Sequence, residues 1–244
     1  MDENPTIILA AHGSREREAL ETLRRFDVSV RQAFPEHRVI WTFADYILRK
    51  LRTGQPEAWS AETHCANELD SLHLDSAIIQ PLFIAPAPLS PDFASTGFPV
   101  GDALLDPPEH IDQVASILEP QITDPDTACI LCGHGSKKRP ENNRPLIDLH
   151  SALQTRHANV FLATLDGPPG CDQTLVQIRR AGFKKAHFIP LMFASGMHIQ
   201  SDVAGDGPDS WKNKLNLPAT LAPPLGDNPR IVELFIKRIR GLLN

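Results

Sequence analysis

Short apolar runs and amphipathic stretches alternate along the whole chain. Residues 6–11 form a continuous apolar run of strand length, and 15–34, REREALETLRRFDVSVRQAF, places Leu20, Leu23, Val28 and Phe34 as an amphipathic helix would. The pattern predicts a strand at 38–43, helices at about 44–53 and 57–72, strands at 76–84 and near 98–104, and a helix at 109–118. From there it predicts strands at 127–132, 159–164, 186–193 and 218–222. Helices are expected at 141–157, 171–181, about 198–205, 208–215 and 228–243. Strands alternating with helices imply right-handed crossovers and parallel sheets covered on both faces, a doubly wound α/β architecture.

The pattern also repeats. IILAAHGS at 7–14 returns as CILCGHGS at 129–136, so His134 lies 122 residues after His12, half the chain length of 244. AIIQPLFIAP at 77–86 and AHFIPLMFAS at 186–195 form a second matching pair that shares Pro81 and Pro190. Two similar domains, 1–122 and 123–244, are therefore expected. Ligands of such sheets bind beyond the carboxyl ends of the strands, where both His-Gly-Ser motifs and both post-proline loops fall, so all four should border one interdomain cleft.

Composition narrows the function. Twenty-four basic and thirty acidic residues give a net charge of -6, against a general nucleic-acid binder or a polybasic membrane-surface protein. No apolar run reaches membrane-spanning length, and the acidic lead of MDENPTIILAAHGS is not that of a secretory signal. Four cysteines at irregular spacing favour a reducing, cytoplasmic setting. Cys129 and Cys132 form a C-x-x-C inside ACILCG with no second pair, which reads as a buried strand rather than zinc chemistry.

His134 and His198, at neighbouring strand ends, can converge on one point, as imidazoles do to bind a borderline metal or relay a proton near neutral pH. His37, His64, His73, His110, His150, His157 and His187 lack a repeated context and read as structural or solvated. A histidine-phosphatase reading, with His12 or His134 as nucleophile, would need an arginine before the histidine, where Ala11 and Gly133 stand. There is no G-x-G-x-x-G after the first strand, no G-x-x-x-x-G-K-[ST], no H-E-x-x-H and no G-x-S-x-G.

WTFADYILRKLR (41–52), IIQPLF (78–83), GHGS (133–136), TLDGPP (164–169), IPLMFASGMHIQSDVAGDGPDSWKNKL (189–215) and PLGDNPRI (224–231) together resemble the anaerobic-type sirohydrochlorin cobaltochelatases. These lie within the wider class of tetrapyrrole metal chelatases that includes ferrochelatases. The resemblance implies insertion of a divalent metal, Co2+ or Fe2+, as substrate into sirohydrochlorin, in cobalamin or siroheme synthesis, with neither ATP nor an organic cofactor. It implies that His134 and His198 are catalytic metal ligands. Asp202, four residues after His198 on the same helical face, could orient its imidazole. Ser136, Lys137, Lys138, Met192, Gly196 and Asp202 are expected to contact substrate. Arg15 and Arg17 follow the first His-Gly-Ser, and Lys137, Lys138 and Arg139 follow the second. These basic residues sit at helix starts, where a polycarboxylate ring would be held.

Two positions depart from the family. Its third metal-site residue, a glutamate in the first-half loop, falls at Leu89, leaving a vacancy or a replacement by Asp92. His12 stands where the larger relatives lack a histidine, and is expected to act as a base or auxiliary contact rather than a primary ligand. Without the glutamate, a non-catalytic tetrapyrrole or metal carrier of the same fold is the alternative. The partner is a small molecule, with neither nucleic acid nor membrane, and a homo-oligomer is allowed.

Overall fold

The computed structural model describes residues 4–44, 47, 59, 61–86, 93–122 and 124–244. Leu89, Asp92 and nearly all of the helix expected at 44–53 lie outside them. The first half opens with β1 (Thr6–Ala10), α1 (Arg17–Ala33), β2 (Val39–Phe43), β3 (Thr63–Cys65) and β4 (Ala77–Pro81), and ends in α2 (His110–Leu118). The second holds β5 (Thr127–Gly133), α3 (Arg144–Gln154), β6 (Val160–Thr164), α4 (Cys171–Ala181) and β7 (Lys185–Pro190). A π-helical turn (His198–Val203), α5 (Trp211–Leu215), β8 (Ala219–Leu221) and α6 (Pro229–Leu243) complete it. All pairings are parallel, in the orders β3-β2-β1-β4 and β6-β5-β7-β8.

Alternation along the strands sorts their side chains into layers. Ile7 and Leu9 of β1, and Cys129 and Leu131 of β5, face one large shared core. Ile8 and Ala10 face a small cluster outside the first sheet, while Ala128, Ile130 and Cys132 face another outside the second. The shared core is filled by α1, α2, α3 and α6, which lie between the two sheets. α6, from the end of the chain, packs against β4, α1 and α2 of the first half, and α2 packs against α3. Cys129 and Cys132, three apart on a strand, face opposite layers, so they cannot chelate one ion; burial pushes the Cys129 thiol up to about 11.

The repeat is visible in hydrogen bonds. Ala10 pairs with Pro81 and Cys132 with Pro190. Leu82 N donates to Ala10 O at 2.8 Å, and Leu191 N to Cys132 O at 2.9 Å. Beyond the strand ends, Ala44 N donates to His12 O at 3.2 Å, as Asp166 N does to His134 O at 2.8 Å. Gly13 and Gly135 both take the left-handed conformation, at φ 78 and 72.

Four details correct the sequence reading. The span expected as one helix at 57–72 contains β3, whose Thr63 pairs with Trp41, followed by a 3-10 helix at Ala66–Leu72. The strand expected near 98–104 is one parallel bridge, Ile79 to Val100, because the Pro- and Gly-rich segment offers few consecutive ladder donors. Val28 is 51% exposed, since the buried stripe of α1 runs through Leu20, Leu23, Phe26 and Val30 and leaves position 28 on the outer side. The helix expected at about 198–205 is the π turn.

α1 carries the contacts that tie the halves. Phe26 packs edge-on against Phe193 (5.1 Å between ring centroids) and Phe235 (6.0 Å), and Arg25 pairs with Asp227 at 2.7 Å. A Cβ on Gly226 would come within 2.5 Å of Phe193 O and 2.7 Å of Thr22 Cγ2, so this crossing requires glycine. Phe26→Ala should therefore cost about 3–5 kcal/mol, and Gly226→Ala about 1–3 kcal/mol, in urea unfolding. Because the core is common to both halves, fluorescence of Trp41 and Trp211, each reported in a variant lacking the other tryptophans, should give coincident transitions. Two separated transitions would mean independent halves.

Candidate metal and catalytic site

Three histidines lie beyond the carboxyl ends of the strands, two of them paired. In the second half, Gly135 has a left-handed φ, and a Cβ there would lie 2.2 Å from Asp166 O. The turn can close against the end of β6 only with glycine. Asn143, 1% exposed, pins the same loop: its Oδ1 accepts from Ser136 N at 2.8 Å and its Nδ2 donates to Pro168 O at 2.8 Å. The result holds His134 outward, exposed, beyond β5.

His198 opens the π turn, a rare form that recurs at functional sites. Ile199 and Val203 anchor the turn in the outer cluster of the second sheet, while His198 and Asp202 stay exposed. The His134 and His198 rings lie 5.4 Å apart, centroid to centroid, at 83°.

Hydrogen bonding sets which nitrogens are available. His134 Nδ1 is 3.0 Å from Gly135 O, which can only accept, so Nδ1 carries the proton in the neutral ring. His198 Nδ1 is 2.6 Å from Asp202 Oδ2, and the carboxylate fixes the same tautomer. Both Nε2 atoms thus keep their lone pairs, as metal ligands or proton acceptors require.

His12 approaches from the first half. Its pKa is lowered, first by burial of its charged form and then by the charges of His134 and His198, which places it within their electrostatic reach. The walls touch nearby, where Gln200 Nε2 donates to Glu18 Oε2 at 3.0 Å.

The other expected residues divide. Asp202 stands with its Oδ2 2.6 Å from His198 Nδ1. Lys137 borders the site, with Nζ 3.7 Å from Asp166 and its backbone N–H on Asp166 Oδ2 at 3.1 Å; Lys138 and Arg139 are exposed beside it. Ser136 serves its own loop, its Oγ accepting from Arg139 N at 3.1 Å. Met192 is half-buried against the outer cluster of the second sheet, and Gly196 faces Ser14. Arg17 pairs with Glu21 along α1 at 2.9 Å, and Arg15 is exposed.

Asp166 was not singled out by the sequence reading, although TLDGPP contains it. The repeat would have found it: Asp166 stands where the first half has Ala44. Asn143, Glu18 and Gln200 have no comparable signal. Among the described residues, no three His, Cys, Asp or Glu side chains converge closely enough to hold a metal by themselves. The geometry offers an imidazole pair, with Asp166 nearby on Lys137.

The chain matches the family model for cobalt chelatase (CbiK) over residues 5–244. It is 30% identical over 226 residues to the sirohydrochlorin cobaltochelatase CbiKC of Nitratidesulfovibrio vulgaris, covering 86% of this chain and 78% of that protein. A sirohydrochlorin cobaltochelatase of Methanosarcina acetivorans is 26% identical over 128 residues, which are 46% of this chain and 92% of that one. In fold the chain is similar to SirB from Bacillus subtilis, solved with Fe3+, with a TM-score of 0.67 at 16% identity, covering 98% of this chain and 96% of that chain.

Electrostatic coupling of His12 to the His134–His198 pair can be read by NMR titration. The His12 ring should titrate below the ordinary histidine value. Replacing His134 or His198 with alanine removes a neighbouring positive charge and should move the midpoint up, while desolvation of the ring keeps it below the ordinary histidine value. An unmoved midpoint in both variants would show that the rings do not sense one another.

Proposed function

The chain belongs to the cobalt chelatase (CbiK) family, and from that membership we propose that it inserts a divalent metal, Co2+ or Fe2+, into sirohydrochlorin without ATP or an organic cofactor. The observation that carries the reading is the His134–His198 pair with both Nε2 lone pairs unspent. Insertion needs a metal held weakly enough to be handed on, and a route for the two pyrrole N–H protons. Two neutral imidazoles meet the first need: they replace part of the ion's water and leave the remaining positions for water and incoming ring nitrogens. Asp166 can add a carboxylate once it leaves Lys137.

Each pyrrole nitrogen that loses a proton becomes the donor that displaces an imidazole or a water from the ion. His12, its pKa lowered first by desolvation of its charged form, is available as a neutral imidazole to accept such a proton and pass it to solvent. Asp202 stabilises whatever positive charge develops on His198. Lys137, Lys138, Arg139 and Arg15 offer charge to the ring's carboxylates around an otherwise acidic protein. The halves 1–122 and 123–244 would then be one duplicated unit, supported by the repeated hydrogen bonds and by the half-length relative, with chemistry concentrated in the second. A soluble, cytoplasmic setting belongs to the same reading; among the described residues no helix is long and apolar enough to cross a membrane.

An anaerobic assay with sirohydrochlorin and Co2+ or Fe2+, followed by the ring's absorption change, tests the activity; binding of ring and metal without turnover would leave a carrier. His134→Ala and His198→Ala should each lower kcat about a hundredfold or more and weaken Co2+ binding. His12→Ala should slow turnover with little change in Co2+ affinity, and Asp166→Asn should weaken Co2+ binding less than either ligand variant. Equal loss of Co2+ binding in the His12 and His198 variants would make the primary site a three-histidine one. Separately, Lys137→Ala with Lys138→Ala should raise KM for sirohydrochlorin severalfold with kcat held, and more so at low salt, where screening is weak. An unchanged KM would leave those lysines as solvated charges.

A further inference from the structure

A hydrogen bond joins the wall that carries His12 to the wall that carries His198. Glu18, four residues after Ser14, accepts from Gln200, four residues after Gly196, at 3.0 Å. Glu18 lies in the first turn of α1 and Gln200 within the π turn. On the inner side of that turn, Ile199 and Val203 are fully buried against the second sheet. On its outer side, Gln200 reaches across to the first half.

The far end of this link is itself anchored. Along the same face of α1, Thr22 abuts Gly226, Arg25 pairs with Asp227 and Phe26 packs on Phe193. Positions 18, 22, 25 and 26 form one stripe at helical spacing, of which Glu18 is the member nearest the histidines. A π turn is a wide, strained form whose shape depends on contacts outside it. His198 lies two residues from Gln200 on that turn, so the rotation of the turn decides where its ring aims. The carboxylate acceptor makes the bond charge-assisted, which helps it persist at an exposed position.

We infer that the Glu18–Gln200 hydrogen bond is a positioning clasp that orients the π turn and aims His198 Nε2 at the point shared with His134 and His12. Neither residue touches the metal; both act through His198, and the inference rests on the proposed role of that histidine.

The test uses the full chain with Glu18→Ala, Gln200→Ala, the double alanine variant, and the exchange Glu18→Gln with Gln200→Glu. The exchange restores a bond of the same kind with donor and acceptor reversed. Each single variant should lower kcat for Co2+ insertion about five- to tenfold with KM for sirohydrochlorin within about twofold, on the scale of one lost charge-assisted bond. The double variant should be no slower than the slower single, and the exchange should recover most of the rate. Hydrogen exchange of the chain without substrate supplies a readout independent of activity. The amides of Ile199, Gln200 and Ala204, bonded to Gly196 O and Ile199 O, should exchange severalfold faster in the single variants and return toward wild type in the exchanged pair, while α6 is unaffected. Unchanged kcat in both single variants, additive losses in the double, or an exchanged pair that stays slow would each overturn the clasp. So would π-turn amides that ignore the substitutions, whatever the activity. A wild-type chain that inserts no metal while its π-turn amides respond as expected would instead overturn the proposed function and leave the clasp's hold on the turn standing.

Discussion

One face of α1 governs the arrangement of the rest. The helix begins three residues after the first His-Gly-Ser motif and then lies between the two sheets, with Leu20, Leu23, Phe26 and Val30 in the shared core. Its position therefore sets both the spacing of the halves and the place from which His12 reaches the cleft. Phe26 is the centre of that arrangement, with Trp41 of its own sheet on one side and Phe193 and Phe235 of the other half around it. Because protein cores are packed to near-crystal density, a change in these rings moves the sheets against each other instead of being absorbed locally. α6 locks the arrangement from the other direction, since the last helix of the chain packs on the first half.

The scaffold is symmetric and the chemistry on it is not. The same backbone bonds close both His-Gly-Ser loops, and the same proline ends both β4 and β7. Yet the position after the second strand is Ala44 in one half and Asp166 in the other, and the second half adds the His198–Asp202 pair. If the proposed function holds, two facing walls let one specialise in holding an ion while the other supplies a neutral imidazole. On the reading proposed here, weak holding is the useful property. Two imidazoles with free Nε2 atoms bind a borderline divalent ion and can surrender it, whereas a closed set of three or four protein ligands would compete with the ring for it.

Much of this was legible in the residues. The doubly wound α/β class, the order of most elements and the repeat follow from hydrophobic periodicity, because a buried strand and an amphipathic helix each demand their own spacing of apolar side chains. The C-x-x-C reading followed too: positions three apart on a strand must face opposite ways, whatever the fold. The resemblance to chelatases, carried by GHGS and by 189–215, agrees with the match to the family model over residues 5–244. The i, i+4 relation of His198 and Asp202 needed only local geometry, and the structure places them at 2.6 Å.

What tertiary structure decided concerns pairs far apart in sequence. Periodicity cannot say which face of a helix meets a neighbouring half, so Val28 was expected inward where Phe26 points. Nor can it say that α6 crosses to the first half, since an apolar stripe specifies only that it must be covered. The lowered pKa of His12 depends on burial and on charges from residues 122 and 186 positions away, and the bond from Gln200 to Glu18 spans 182. Such quantities arise only when packing brings distant segments within a few ångströms. The local chain determines which side chains stand at the strand ends, and the shared core determines that they stand together.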